Sequence, residues 1–449
     1  MIRERTDSGY REIFNVAIPT SLEAVFQALF SLIDQIIVGM LGPVAIAAVG
    51  LSNSTSLILT LLYSAIGTGS GVFIAQAYGR GDMDEVSKIE AVGQTAAALL
   101  GACTALPLIL FPVPILRFLG AQENVVGTAA GYLQLFAASV PMNVMSAVTT
   151  AAFRAMGDSR TPMAITVSAV ILNTLLAFVL VLGVGPFPKI GVLGAGLATL
   201  TSQPIRCLLL LIVLYSYKKK IKWRWPALSV VKGVARPLLQ VTYPIALSEM
   251  LWGTSTFLYT IIFARIDTDA LAASQIVTTI ETIFIVAASG FAPAAVATVG
   301  QALGDDSFQN ARSQAKRVLH AGAGFGFALS AALIGVSFLL PVFYPRVGEN
   351  VLRMAVWGIA ITAIVQSAKV ANSILGTGIL PSGGDTKFVL LSHLVSSYAI
   401  GLPCAAIFGI ALRLGTWSVF ASRALEEAIK SVILLKRYRK ASWQRKLST

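Results

Sequence analysis

The chain has 449 residues, of which 56% are hydrophobic and only 12% are charged, and its mean hydropathy is +0.77. A soluble domain carries about 25% charged residues, so a soluble globular protein of this length is excluded. The net charge of +13 does not by itself indicate nucleic acid, because bilayer proteins gather lysine and arginine on their cytoplasmic loops. The composition therefore indicates an integral membrane protein, with the lipid bilayer and not nucleic acid as its partner.

Apolar stretches long enough to span a membrane recur along the whole chain. A transmembrane helix needs roughly 20 mostly apolar residues, and the first stretch is too long and too acidic for a cleavable signal peptide. The sequence thus predicts an all-α membrane protein with twelve transmembrane helices. The predicted spans are 13–40, 45–77, 87–111, 125–152, 162–184, 191–216, 237–264, 270–302, 314–341, 351–376, 388–409 and 414–435.

The basic residues orient these spans. With both termini in the cytoplasm, 24 of the 34 lysines and arginines lie in cytoplasmic segments or at the cytoplasmic ends of spans, six lie in outer loops or at the outer ends of spans, and four lie deeper inside spans. The positive-inside rule favours this orientation, and we expect a multi-pass protein of the inner (cytoplasmic) membrane. The basic stretch 218–236 predicts a cytoplasmic linker. It separates an N-terminal six-helix lobe, 1–217, from a C-terminal lobe, 237–449, that ends in a basic tail.

The sequence gives little support to metal, disulfide or enzyme chemistry. Cys103, Cys207 and Cys404 form no CxxC pair, and the only histidines are His320 and His393. The chain contains no HExxH or GxSxG motif and no nucleotide-binding loop. We therefore expect no enzyme activity, no metal and no cofactor.

The two predicted lobes repeat each other at a constant offset of 225 residues. The matches that chance explains least well pair Pro19 with Pro244, Gln76 with Gln301 and Gly79 with Gly304. A further pair of similar motifs lies at 157–161 and 384–387, after the fourth span of each lobe. Six spans per lobe leave both lobes facing the same way, so their pseudo-twofold axis follows the membrane normal. This arrangement is typical of alternating-access carriers.

Several motifs, in this order and spacing, resemble those of the multidrug and toxic compound extrusion (MATE) transporters. They are Pro19 fifteen residues before Asp34, the sequence AQAYG at 75–79, RAMGDSRTP at 154–162 and GGDT at 383–386. The stretch 183–199 is similar to the prokaryotic DinF-like branch. The resemblance covers about residues 10–435. It implies two pseudo-symmetric six-helix lobes in a V, exporting amphipathic, often cationic compounds in exchange for H⁺ or Na⁺.

Asp34 is the strongest candidate for the coupling residue. It lies well inside the first span with no basic residue within a helical turn or two, and a charged group at the bilayer centre costs about 2.5–3.5 kcal/mol. A low-dielectric site disfavours the charged form of a carboxyl group, so Asp34 can bind a proton or, when ionised, a cation. A purely structural hydrogen bond to a neighbouring helix is the alternative. The resemblance implies Asn173 and Thr199 as its supporting polar residues.

One departure from the family bears on the coupling ion. Similar prokaryotic members carry a second carboxylate four residues after the asparagine, where this chain has Ala177. A Na⁺ site wants several oxygen ligands, whereas a proton needs one tuned carboxyl group. The substitution favours H⁺ over Na⁺.

Pro19 and Glu23 lie one turn apart in the same span. Pro19 lacks an amide hydrogen and permits a kink, either a static one or one that changes when Asp34 is protonated. Glu23 is expected to form an interhelical hydrogen bond, with a role in the cavity as the alternative.

The second lobe differs chemically from the first. Tyr259 stands at the repeat position of Asp34, so protonation should act mainly through the first lobe. Glu249 and Glu281 either form a second cation site or pair with Lys369, which fits the DinF-like pattern.

These observations predict a secondary antiporter for multidrug efflux that acts as a monomer on small organic, mainly cationic substrates. The alternative within the same superfamily is a lipid-linked saccharide flippase. Such relatives often carry extra helices and a strongly cationic cavity, and twelve spans with few intramembrane lysines and arginines count against it.

Overall fold

The structure is a computed structural model that describes residues 2–217, 221–222, 226 and 228–447. Twelve long helices account for most of these residues, and the described part of the chain contains no strand. In chain order they are α1 (Ile2–Gly39), α2 (Pro43–Gly79), α3 (Met83–Leu110), α4 (Glu123–Ala155), α5 (Arg160–Leu182), α6 (Val192–Ile212), α7 (Leu228–Ile266), α8 (Thr268–Gly304), α9 (Phe308–Ser337), α10 (Glu349–Ser382), α11 (Thr386–Ala411) and α12 (Thr416–Arg439).

These helices confirm the twelve predicted spans, each of which falls on one helix. Ten helices of the described residues are long and apolar enough to cross a membrane; α2 and α12 are the other two of the twelve. Of the predicted linker, 218–220, 223–225 and 227 lie outside the described residues. Its last part, 228–236, is helical and forms the start of α7.

Irregular turns interrupt three helices of the C-terminal half. A turn at Ser289 and Gly290 divides α8. Short π-helical stretches lie in α10 (Ile374–Ile379) and in α11 (Leu394–Gly401 and Ala406–Ala411). Such stretches leave backbone groups outside the regular ladder and are frequent at functional sites.

The repeated GD motif builds the same turn twice with different partners. Gly157 and Gly384 both take positive φ angles, of 84° and 77°, which glycine adopts without a steric cost. Asp158 then accepts hydrogen bonds from the backbone N–H and hydroxyl of Thr161, at 3.2 and 2.9 Å, at the start of α5. Asp385 instead binds Arg437 in the last turn of α12, at 2.6 and 3.1 Å.

The chain divides into two compact units. The first unit is Leu22–Leu239, and the second runs from Gln240 onward and includes the residues up to Ser21. In the first, α4 packs against α2, α3 and α6, and in the second, α10 packs against α8, α9 and α12. The fourth helix of each repeat is therefore central to its own unit.

The beginning of α1 is part of the second unit. Ile13, Val16 and Ala17 are buried in its core, and the Ser21 hydroxyl accepts a hydrogen bond from Gly290 N–H at 3.1 Å. A Cβ atom at Gly290 would stand 2.0 Å from the Ala17 carbonyl oxygen, so this approach requires glycine. The single helix α1 thus begins in one unit and ends in the other.

The basic tail after α12 folds back on the second unit. Trp443 is fully buried (0% exposed), stacks on Tyr438 with ring centroids 5.8 Å apart and donates from Nε1 to the Tyr438 carbonyl at 3.1 Å. The backbone of Trp443 lies directly against Gly383, where a Cβ would collide with its carbonyl oxygen. Lys446 forms an ion pair with Asp306 at 2.6 Å. The tail therefore covers the α8–α9 and α10–α11 connections.

Replacing Trp443 should destabilise the protein much more than replacing an exposed tryptophan. Trp443→Ala empties a fully buried site, which costs about 3–5 kcal/mol in protein cores, whereas Trp417 is 56% exposed. We expect the midpoint of thermal unfolding in detergent to fall clearly for Trp443→Ala and hardly at all for Trp417→Ala. Equal midpoints for the two variants would contradict the tail packing.

Candidate functional site

The first unit places Asp34 beside α5. The Asp34 carboxyl group is half-buried in α1 and accepts a hydrogen bond from the Thr174 hydroxyl at 2.8 Å. Among the described residues, no lysine, arginine or histidine forms an ion pair with it. Asp34 therefore lies in an apolar helix with a hydroxyl group, not a cation, as its partner.

The three predicted coupling residues line one cavity. Its volume is about 100 Å³, with room for several water molecules. Asn173 donates to Ser202 at 3.0 Å and to Thr199 at 3.4 Å, which ties α5 to α6 on the wall of the cavity. The lining residues are Ser31, Asp34, Gln35, Val38, Val49, Tyr132, Asn173, Ala177, Ala195 and Thr199.

This arrangement suits the reversible binding of a small cation or a proton. One carboxyl group faces hydroxyl and amide groups that can each accept or donate a hydrogen bond. The buried Ala177 methyl group lines the cavity at the position where the family resemblance implies a second carboxylate. Asp34 is thus the single acid among the residues that line the cavity.

Glu23 lies outside this cavity, in an ion pair. It is 1% exposed, and its carboxylate binds Arg154 of α4 at 2.8 Å and the Gln27 side chain at 3.3 Å. The expected interhelical contact is present, and it is stronger than a neutral hydrogen bond because both groups are charged. Pro19 is buried inside α1, two residues before the point where that helix passes from the second unit to the first.

The second unit satisfies its buried charges by pairing. Lys369 donates to Glu281, and Arg423 approaches the other oxygen of Glu281 at 3.6 Å. This is the pairing alternative for Glu281, not a free cation site. Glu249 joins neither residue and has no polar partner in the part of the chain that the structure describes.

Tyr259 does have an acidic partner, supplied by α12. Its hydroxyl donates to Glu426 at 2.7 Å, and Ser397 donates to the other oxygen of the same carboxylate. Arg423 lies over the Tyr259 ring, 5.6 Å from its centroid. The repeat position of Asp34 thus holds a neutral donor to a carboxylate that comes from another helix.

The remaining charges of this cluster follow one face of α12. Lys430 binds Glu427 at 3.2 Å and lies 3.7 Å from Glu426, and Asn372 donates to Glu427 at 2.8 Å. A space of about 30 Å³ lies among these side chains. Together with Glu281, Lys369 and Arg423, the cluster holds three acids and three bases, so its formal charge is zero.

The sequence indicates only in part that Glu426, Glu427 and Lys430 form a cluster. Glu426 and Glu427 stand near the predicted end of the last span, where charges are usually solvated, and Lys430 follows Glu426 by four residues. Such spacing places all three on neighbouring positions of a helix. The sequence shows this spacing, but not that the face is buried.

Sequence analysis missed Glu90. This residue of α3 is 0% exposed and receives one hydrogen bond, from Gln94 at 2.9 Å. Its position three residues inside the predicted span 87–111 was the available signal. The described residues contain no group of three or more His, Cys, Asp or Glu side chains arranged to hold a metal ion.

These features describe a multi-pass membrane protein with two repeated six-helix units, one of which holds a carboxyl group in a polar cavity. The chain belongs to the MatE family, which it matches over residues 19–179 and again over 244–407. The two matches begin at Pro19 and Pro244, which confirms the internal repeat and its offset of 225 residues. Members of this family are transporters and not enzymes.

Individual relatives are similar over nearly their whole length. The uncharacterized transporter YisQ of Bacillus subtilis is 23% identical over 97% of this chain and 95% of the relative. The probable multidrug resistance protein NorM of Thermotoga maritima is 23% identical over 99% of this chain and 95% of its own. A mutant of the Vibrio cholerae MATE transporter VcmN superposes with a TM-score of 0.88 at 20% identity, covering 97% of each chain. The fold of this chain is therefore that of the MATE transporters.

The buried Glu281–Lys369 pair predicts non-additive effects on stability. Removing one partner of a buried ion pair costs about 3–5 kcal/mol because the other charge stays buried. We expect Lys369→Met and Glu281→Gln each to lower the midpoint of thermal unfolding. The double variant should be less destabilised than the sum of the two.

The control is the exposed pair Lys88–Asp84, 2.8 Å apart on α3, where Lys88→Met and Asp84→Asn should each have little effect. Strictly additive losses at Glu281 and Lys369 would mean that the two side chains do not interact.

Proposed function

We propose that this protein is a secondary antiporter that exports small organic, mainly cationic compounds in exchange for protons. Asp34 carries the proposal: it is a carboxyl group within a membrane helix, in a cavity of about 100 Å³, with a hydroxyl partner and no paired cation among the described residues. A proton and a cationic substrate can neutralise the same carboxylate in turn. Competition of this kind couples the two fluxes, because the charged form of Asp34 is costly in a low-dielectric site.

The composition of the cavity favours H⁺ as the coupling ion. Hard cations bind through several oxygen ligands, with carboxylates prominent among them, and the cavity has one carboxylate and the Ala177 methyl group where similar proteins have another. A proton needs a single carboxyl group. Asn173 and Thr199 then act as positioning residues that hold the α5–α6 wall beside Asp34.

Pro19 offers a route from protonation to movement. It removes one backbone hydrogen bond of α1, fifteen residues before Asp34 and close to the point where α1 passes from the second unit to the first. Neutralising Asp34 changes what α1 binds in the first unit. A helix weakened at Pro19 can then bend without disturbing the packing of Ile13 and Val16 in the second unit.

The relatives support export of drug-like compounds. The Thermotoga relative is described as a probable multidrug resistance protein, and the amphipathic cations suggested by the sequence fit an anionic Asp34. The charge-balanced cluster of the second unit does not supply the strongly cationic cavity expected of a lipid-linked saccharide flippase. We further propose a monomer in the cytoplasmic membrane with both termini inside the cell, in accord with the distribution of basic residues.

Asp34→Asn should abolish drug resistance in a sensitive host while the protein still reaches the membrane. The amide has nearly the shape of the carboxylate but can neither bind a proton nor neutralise a cation. Asp34→Glu, which keeps the acid, should retain partial efflux. Minimum inhibitory concentrations and dye efflux, normalised to the amount of carrier in the membrane, are the measurements, and full efflux by Asp34→Asn would remove Asp34 from the mechanism.

A proton gradient alone should drive transport. In everted vesicles without Na⁺, we expect an imposed pH gradient, acid inside, to drive uptake of a cationic dye, and we expect a Na⁺ gradient without a pH gradient to drive none. The purified Asp34→Asn protein in matched vesicles is the control for leak. Transport that requires Na⁺ and ignores the pH gradient would overturn H⁺ coupling while leaving Asp34 as a cation site.

A further inference from the structure

A second isolated carboxyl group lies in the first unit, at Glu90. Its Oε1 atom accepts a hydrogen bond from the Gln94 amide at 2.9 Å, whereas its Oε2 atom is buried and has no hydrogen-bond partner among the residues that the structure describes. The Gln94 amide also contacts Thr149 at 2.7 Å and the Met145 carbonyl at 3.2 Å, both on α4. A buried ionised carboxylate needs several donors or a cation, and Glu90 has one shared donor.

The groups around Glu90 do not supply the missing charge. Among the described residues, the titratable side chains shown to interact electrostatically with it are Cys207 of α6 and Tyr215 just beyond that helix, and neither is a cation. Arg154 of α4 is engaged by Glu23 at 2.8 Å, and Arg206 of α6 interacts with Glu23 and Cys207. In the described part of the chain, no lysine or arginine forms an ion pair with Glu90.

Glu90 and Asp34 lie toward opposite ends of the first unit. Asp34 is five residues from the end of α1, where α1 joins α2, and Glu90 is seven residues from the start of α3, where α2 joins α3. With a rise of 1.5 Å per residue, Glu90 is about 10 Å from that end of its helix. Ser87, one turn nearer this end, is also buried and accepts the backbone N–H of Lys222 at 3.2 Å.

We propose that Glu90 is a second proton-binding site, at the end of the first unit opposite Asp34. In the step, one carboxylate oxygen of Glu90 takes a proton from a hydronium ion and leaves a water molecule. The vacant Oε2 atom is the acceptor, because Oε1 already binds Gln94. Protonation makes Glu90 neutral and so removes the unpaired charge. The contact of Gln94 with Thr149 holds Gln94 beside Glu90 in both the protonated and the ionised state.

The part that Glu90 plays in transport rests on the proposed function. If protons enter at Asp34, they must leave toward the other side of the membrane, and Glu90 is a buried acid close to that side. The direction follows from the predicted orientation, in which the α2–α3 connection is cytoplasmic. Binding of a proton by Glu90 does not itself depend on that function.

Infrared spectroscopy of the reconstituted carrier tests the binding directly. We expect a stretching band of the buried protonated Glu90 carboxyl group, separate from any band of Asp34, to appear as the pH is lowered from about 9 to 5, and we expect this band to be missing in Glu90→Gln. Asp84→Asn, which alters an exposed acid of the same helix, should keep the band, and so should Asp34→Asn. A difference band between wild type and Glu90→Gln that is absent, or that does not vary with pH, would overturn the proposal.

A transport measurement then tests its role in proton coupling. We expect Glu90→Gln to retain dye efflux but to lose the dependence of the rate on pH at the cytoplasmic side, while the dependence on external pH remains. An efflux profile equal to that of the wild type on both sides would remove Glu90 from the coupling. If the infrared band titrates but transport proves to be driven by Na⁺ alone, the proposed function fails while Glu90 remains a proton site.

Discussion

A charge that is buried in a membrane helix must be neutralised by a partner or by a proton, and this constraint organises the whole structure. Leaving such a charge alone costs several kcal/mol. The second unit meets the constraint with ion pairs, in which Glu281, Lys369 and their neighbours balance one another. The first unit pairs Glu23 with Arg154 but leaves Asp34 and Glu90 with neutral hydrogen-bond partners. Acids of the second kind change their charge more easily than paired ones, and the proton chemistry that we propose uses the two of the first unit; Glu249 is an acid of the second unit that also lacks a polar partner among the described residues.

The two repeats place different side chains at matching positions of the same backbone arrangement. Tyr259 occupies the position of Asp34, and the offset of 227 that relates the two GD motifs brings Gly401 to the position of Thr174. A Cβ atom at Gly401 would lie 2.5 Å from the Tyr259 hydroxyl and 2.8 Å from Glu426. The loss of the threonine side chain therefore makes room for the tyrosine–glutamate hydrogen bond. At two matched positions, the aspartate–threonine hydrogen bond of the first unit gives way to a tyrosine–glutamate hydrogen bond in the second.

The sequence predicted the features that depend on local pattern or on a family motif. The twelve helices follow from apolar length, and Asp34, Asn173 and Thr199 do line one cavity. It could not identify Arg154 as the partner of Glu23, 131 residues away, and it left the pairing of Glu281 with Lys369, 88 residues apart, as one of two alternatives, because such contacts depend on which faces of distant helices meet. Trp443 was read as part of a polar tail, because nothing local indicates that it is buried against Gly383.

Helix α1 begins in the unit whose buried charges are mostly paired and ends in the unit that holds Asp34. Its beginning is held in the second unit by Ile13, Val16 and the close approach at Gly290, and its end carries Asp34 in the first. The charge-balanced cluster of the second unit keeps its charges paired, and under the proposed function that unit is the part that stays fixed. A change of charge at Asp34 alters the interactions of one end of a helix whose other end is anchored, and Pro19 is where that helix is weakest. Under the proposed function, the asymmetry in charge between the repeats is what allows protonation to become movement.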